Sequence, residues 1–153
     1  VLPAVFVRQG ACCMRRTKHS NDSRRYFDWM EIAARDLLAA RILLKEEQCL
    51  EIVGFHCQQC MEKAFKAYLI HADGIPVDGH NLTWLCRQAA KRAPVFQKWL
   101  DATARMNRLY IETRYPSDVE LELDMKACKN ICEITEEIYE TVSHLIYGEG
   151  EDD

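Results

Sequence analysis

Apolar residues recur every three or four positions along most of the chain, the spacing that gathers them on one face of an α-helix. In YFDWMEIAARDLLAARILLKEE, Phe27, Met30, Ala34, Leu37 and Arg41 follow one stripe. Trp29, Ile32, Ala33, Ala40 and Leu43 follow a second, so the first helix is apolar over a wide arc. A second helix is expected from about Leu50 to Ala72, stopping at DGIPVDG, whose glycines and proline break any helix. A turn of this composition implies an antiparallel neighbour. NLTWLCRQAAKRA predicts a short third helix ended by Pro94, and VFQKWLDATARMNRLY a fourth. The fifth, Glu120 to Tyr147, carries Met125, Cys128, Cys132, Ile138, Val142 and Leu145 at helical spacing. Nothing alternates like a strand for long. The pattern predicts an all-α protein, an antiparallel helical bundle of about five helices with a four-helix up-and-down core plus a short helix.

Charge divides the chain into three parts. Arg15, Arg16, Lys18, Arg24 and Arg25 make the N-terminal approach to the bundle basic, residues 1–23 are expected to be a flexible basic extension, and GEGEDD at 148–153 is an acidic tail with nothing to bury. The bundle is expected over 24–147. At 153 residues, 48% apolar and 29% charged with a net charge of −4, the composition is that of one soluble globular domain without a generally basic, nucleic-acid-coating surface. No apolar run approaches the ~20 residues of a membrane span, so no membrane partner is expected. The apolar opening VLPAVFVRQGACC makes a poor signal peptide, because its positive residues mostly follow it, and Met14 is the expected natural start.

Eight cysteines without a secretory signal, several of them at alanine-like positions of helical patterns, point to the cytoplasm and reduced thiols. Cys57 and Cys60 share a helix face, as do Cys128 and Cys132. Four thiolates from two packed helices could hold zinc, but structural zinc sites draw Cys-x-x-Cys from a tight knuckle. A redox Cys-x-x-Cys sits at a helix N-terminus. Both contexts are missing, and core packing is the preferred reading; no metal and no cofactor is expected.

Polar residues interrupt the second helix at helical spacing: His56, Gln59, Lys63 and Lys66 form a partly cationic stripe able to receive phosphate. Asp36 lies on the Trp29, Ile32 and Leu43 side of the first helix, where it needs a cationic partner such as Lys63 or Arg114. Pro116 biases Tyr115 away from α geometry and presents Arg114 at a helix-to-loop break, where its planar fork suits a phosphate or ties the loop to the bundle. Asn81, after Gly79 and His80, is placed to cap the third helix. Trp84, Trp99 and Tyr110 fit helix packing.

The stretch GFHCQQCMEKAFKAYLIHADG resembles the second-helix signature of HEPN domains (higher eukaryotes and prokaryotes nucleotide-binding). The match falls on Phe55, His56, Gln59, Glu62, Lys63, Lys66 and Leu69. WMEIAARDLLAARILL with Asp36, GHNLTWL with His80, and YIETRYPSD with Arg114 and Tyr115 resemble the family's other landmarks in the same order, covering about Tyr26 to Tyr147. The resemblance implies a helical bundle of the type found beside minimal nucleotidyltransferases, often homodimeric and often part of toxin–antitoxin pairs. Some members are metal-independent ribonucleases with an Arg followed a few residues later by His. None of Arg105, Arg108 and Arg114 is followed by histidine at that spacing. The leading expectation is therefore a binding role rather than an enzyme. A nucleotide (ATP or GTP) or a nucleotidyltransferase partner would meet His56, Gln59, Lys63, Lys66 and Arg114, supported by Asp36, Glu62, His80 and Tyr115. The alternatives are a ribonuclease toxin acting on RNA, with His80 or His56 brought to Arg114, and a purely structural helical homodimer.

Overall fold

A computed structural model describes residues 22–114 and 123–148, of residues 109–114 the backbone alone. The first helix, α1 (Tyr26–Lys45), buries Met30, Ala33, Asp36, Leu37 and Ala40, one stripe at spacings of three and four. Phe27 lies off that stripe and is exposed, with Leu38 and Ile42 also on the outside. A short turn leads to α2 (Leu50–Asp73). Glu47 and Cys49 in this turn take positive φ, of 52° and 50°, and so reverse the chain within four residues without a glycine. Gly74, at φ 69°, closes α2 in the left-handed conformation that glycine adopts freely, and its amide donates to the Ile70 carbonyl.

The third helix, α3 (Leu82–Arg92), starts at Asn81, whose side chain accepts from the Trp84 amide as its sequence position predicts. The expected fourth helix begins differently. Pro94–Trp99 is a 3-10 turn, and only from Leu100 does α4 (Leu100–Arg114) run as an α-helix. In 3-10 geometry residues three apart eclipse, so Phe96 and Trp99 both turn into the core. There Phe96 meets Tyr68, Phe65 and Trp99, with ring centroids 4.9, 5.7 and 5.9 Å away. Helix α5 (Met125–Tyr147) is capped by Asp124, whose carboxylate accepts from the Ala127 amide. Residues 120–122, the expected start of this helix, lie outside the described residues.

Helix α2 is the axis of the bundle, packing against α1, α3, α4 and α5. Its interior face is almost continuously buried from Ala64 to Ile70. Where α5 begins, Gly54 lets the chain approach closely: a Cβ there would lie 3.0 Å from Leu123 Cδ1. The two ends of the bundle also meet, the rings of Tyr26 and Tyr147 being 6.3 Å apart between centroids. Cys57, Cys60, Cys86, Cys128 and Cys132 are all buried, filling core positions as small apolar side chains. Trp84 departs from the expected packing role and is 42% exposed, as is Leu145 on α5 at 41%. No helix among the described residues is long and apolar enough to cross a membrane.

Candidate functional site

The polar residues of α2 are organised by two carboxylates rather than as one open cationic stripe. Asp36 comes from the buried face of α1 and meets α2 with both oxygens. Its Oδ2 accepts from Lys63 Nζ at 2.5 Å, and its Oδ1 lies 2.9 Å from His56 Nδ1. An ionised carboxylate has only acceptors, so Nδ1 carries the proton and Nε2 is left as the free ring nitrogen. The cationic partner expected for Asp36 is thus Lys63. Its second partner, His56, was not foreseen because the contact joins two helices and has no spacing in sequence.

Glu62 builds the other cluster, one turn further along α2. Its Oε1 accepts from Lys66 Nζ at 3.0 Å and faces His80 Nδ1 at 2.8 Å; Oε2 accepts from the buried Gln58 amide at 3.3 Å. Gln59 in turn donates to Gln58 Oε1 at 2.8 Å, so the amide of a partly exposed residue is tied to the interior network. The Glu62 and Lys66 side chains are almost fully buried, at 7% and 5% exposure, whereas His80 stands 77% exposed. One carboxylate therefore holds an interior ammonium and a surface imidazole together.

Lys66 differs from its sequence-based role. Its ammonium is turned inward, paired with Glu62 and lying 5.1 Å from the centroid of the Trp29 ring. A buried ammonium must be paired, and that requirement overrides its place on the stripe. The signal was present: Lys66 sits four residues after Glu62, inside the apolar run around Phe65 and Tyr68. Glu62, expected to be supporting, is instead the hub of its cluster.

His56, Gln59 and Lys63 are each partly exposed and share one side of α2. Arg114 is the last residue of α4, but its side chain is not described, and Tyr115 lies outside the described residues. The start of α3, next to His80, is fixed to α4 through Asn107. That side chain accepts from the Leu82 amide at 2.9 Å and donates to Thr83 Oγ1 at 2.9 Å. Among the described residues, no group of three or more His, Cys, Asp or Glu side chains is arranged to hold a metal ion.

Fold and site together define an all-α module whose central helix carries two carboxylate clusters, each anchoring a lysine and a histidine. The HEPN domain family matches residues 26–145, and the chain belongs to that family. A crystal structure of an archaeal HEPN homologue is similar to it, with 26% sequence identity and a TM-score of 0.63 over 80% of this chain and 98% of that one. Among curated proteins, none matches the chain.

Proposed function

We propose that this HEPN-family bundle is a nucleotide-binding module that serves a nucleotidyltransferase partner, in a toxin–antitoxin or stress-related pair. The observation carrying this reading is the His56, Gln59 and Lys63 face of α2. Asp36 fixes the imidazole through Nδ1 and takes one of the three ammonium donors of Lys63, leaving Nε2 and two N–H groups for a ligand. An acceptor nitrogen beside ammonium donors matches the hydroxyls and phosphate oxygens of a nucleotide better than an apolar ligand. Arg114 is retained as the proposed phosphate ligand at the end of α4, whereas Lys66 is left out because it is buried. The link to a nucleotidyltransferase rests on the family alone, as an analogy.

Calorimetric titration with ATP and GTP, with and without a minimal nucleotidyltransferase, tests the proposal. Binding should weaken about tenfold or more in Lys63→Ala, the loss of a charge-assisted hydrogen bond. Silence in every titration refutes it.

A second reading, a ribonuclease with a rearranged site, is favoured by one observation. His80 is anchored through Nδ1 to Glu62 and its ring is exposed, the geometry that leaves Nε2 free as a general base for a ribose hydroxyl. RNA cleavage by the purified protein that is lost in both His80→Ala and Arg114→Ala supports this reading, and no cleavage by the parent protein excludes it.

A further inference from the structure

Cys57 on α2 and Cys132 on α5 face each other inside the bundle with their sulfurs 3.5 Å apart. They are 75 residues apart in the chain, so no sequence motif joins them. A disulfide holds its sulfurs at about 2.05 Å, so closing the pair needs roughly 1.5 Å of approach. The other cysteines among the described residues are placed differently, Cys49 being exposed. Cys128 donates its thiol to the Leu50 carbonyl at 3.5 Å, and Cys86 to that of Phe96 at 3.3 Å. Cys60 is fully buried with the Asp36 carboxylate in its surroundings, which disfavours its thiolate.

The two facing thiols are unequal. The hydrogen bond between the two sulfurs, with burial behind it, pushes the Cys57 thiol upward. Cys132 is held below the ordinary thiol value, first by its hydrogen bond with Cys57 and then by the Arg41 guanidinium, with burial and Glu136 and Glu133 acting against it. Arg41 extends from α1 and is ion-paired with Glu136 of α5. Cys132 is also slightly exposed at 5%, whereas Cys57 is fully enclosed. The nucleophilic sulfur is therefore the one nearer to solvent, and its partner is already in contact.

We propose that Cys57 and Cys132 form a hydroperoxide-responsive disulfide site that locks α2 to α5. The Cys132 thiolate attacks one oxygen of a hydroperoxide and the O–O bond breaks. The departing oxygen leaves as hydroxide or alkoxide, which takes up a proton, and Cys132 becomes a sulfenic acid. The Cys57 sulfur then attacks the sulfenic sulfur, forming the S–S bond and breaking the S–O bond. The thiol proton of Cys57 and the departing hydroxide make water. Two thiols are oxidised and one peroxide is reduced, with no other co-reactant. This site stands apart from the nucleotide-binding reading and does not depend on it.

The test uses the full chain, reduced, freed of reductant and treated with a slight molar excess of hydrogen peroxide. Remaining thiols are then alkylated in denaturant and the protein is digested for peptide mapping. The expected result is a linked Cys57–Cys132 peptide, a monomer lighter by two hydrogens, and a higher thermal midpoint that dithiothreitol reverses. Recovery of both residues as alkylated thiols, or of Cys57 linked to Cys60, overturns the proposal. So does Cys132 driven to sulfinic acid without any crosslink. In Cys57→Ala, where no partner can resolve it, Cys132 should be trapped by dimedone as a sulfenic acid; absence of that adduct in the folded variant overturns the order of attack. Should the variant fail to fold, the peptide map of the parent chain decides alone.

Discussion

The imidazole of His80 is tethered to Glu62, with Nδ1 2.8 Å from Oε1, and the same oxygen accepts from Lys66 at 3.0 Å. A surface ring and an interior ammonium thus depend on one carboxylate. This coupling makes Glu62 the residue whose loss should be felt both in stability and at the candidate site.

Glu62→Ala leaves the Lys66 ammonium buried without its counter-charge, which should cost about 3–5 kcal/mol. The double variant Glu62→Leu, Lys66→Met removes both charges and should recover most of that loss, since an apolar pair of similar volume avoids the desolvation penalty. Urea denaturation of the parent and both variants checks this. A double variant as unstable as the single one would show that Lys66 is not held by Glu62.

Asp36→Ala removes the shared acceptor of His56 and Lys63. Because Lys63 is partly exposed, solvent screens the uncovered ammonium and the expected cost is smaller, about 1–3 kcal/mol. The sharper readout is the imidazole itself. Nitrogen NMR should find His56 protonated at Nδ1 in the parent chain, and this tautomer should lose its dominance in the variant.

Asn81→Ala deletes the cap of α3 and one of the two side-chain acceptors of Asn107 Nδ2, which keeps Thr83. The expected loss is about 1 kcal/mol, measured by thermal or denaturant unfolding. Asn81→Asp retains an oxygen for the Trp84 amide and should lie close to the parent protein.

The Arg92 guanidinium beside Asp73 holds its carboxyl below the ordinary carboxylate value through a side-chain hydrogen bond. A carboxyl depressed in the folded state contributes stability that is present above its unfolded value, about 3.9, and lost as pH falls through the lowered folded value. Parent and Asp73→Asn proteins should therefore differ slightly in thermal midpoint near neutral pH and converge in acid. Added salt should shrink the neutral-pH difference, since the pair is exposed.

The helices were legible because burial leaves a periodic trace. The α2 stretch from Leu50, the stop at Gly74 and the Asn81 cap all follow from local spacing and side-chain type. The pattern from Val95 onward predicts an α-helix, whereas Pro94–Trp99 is a 3-10 turn; Phe96 and Trp99, three apart, can share an inward face in either geometry. Trp84 is expected to fit helix packing, yet its position on α3 leaves it exposed. At the site, the Asp36 and Lys63 pair could be anticipated, because a carboxylate on an apolar face demands a cation. The His56, His80 and Cys132 contacts could not, since each joins elements whose relative placement no local pattern encodes. Lys66 shows the converse: helical spacing put it on the polar stripe, and long-range packing turned it inward.

The meeting of Tyr26 and Tyr147 has a consequence for chain connectivity. A domain whose entry and exit lie side by side can be spliced into a surface loop of a host protein without prising the host apart. For the same reason a short linker across this junction would permit a circular permutant, reopened in the exposed stretch between Gly74 and Gly79.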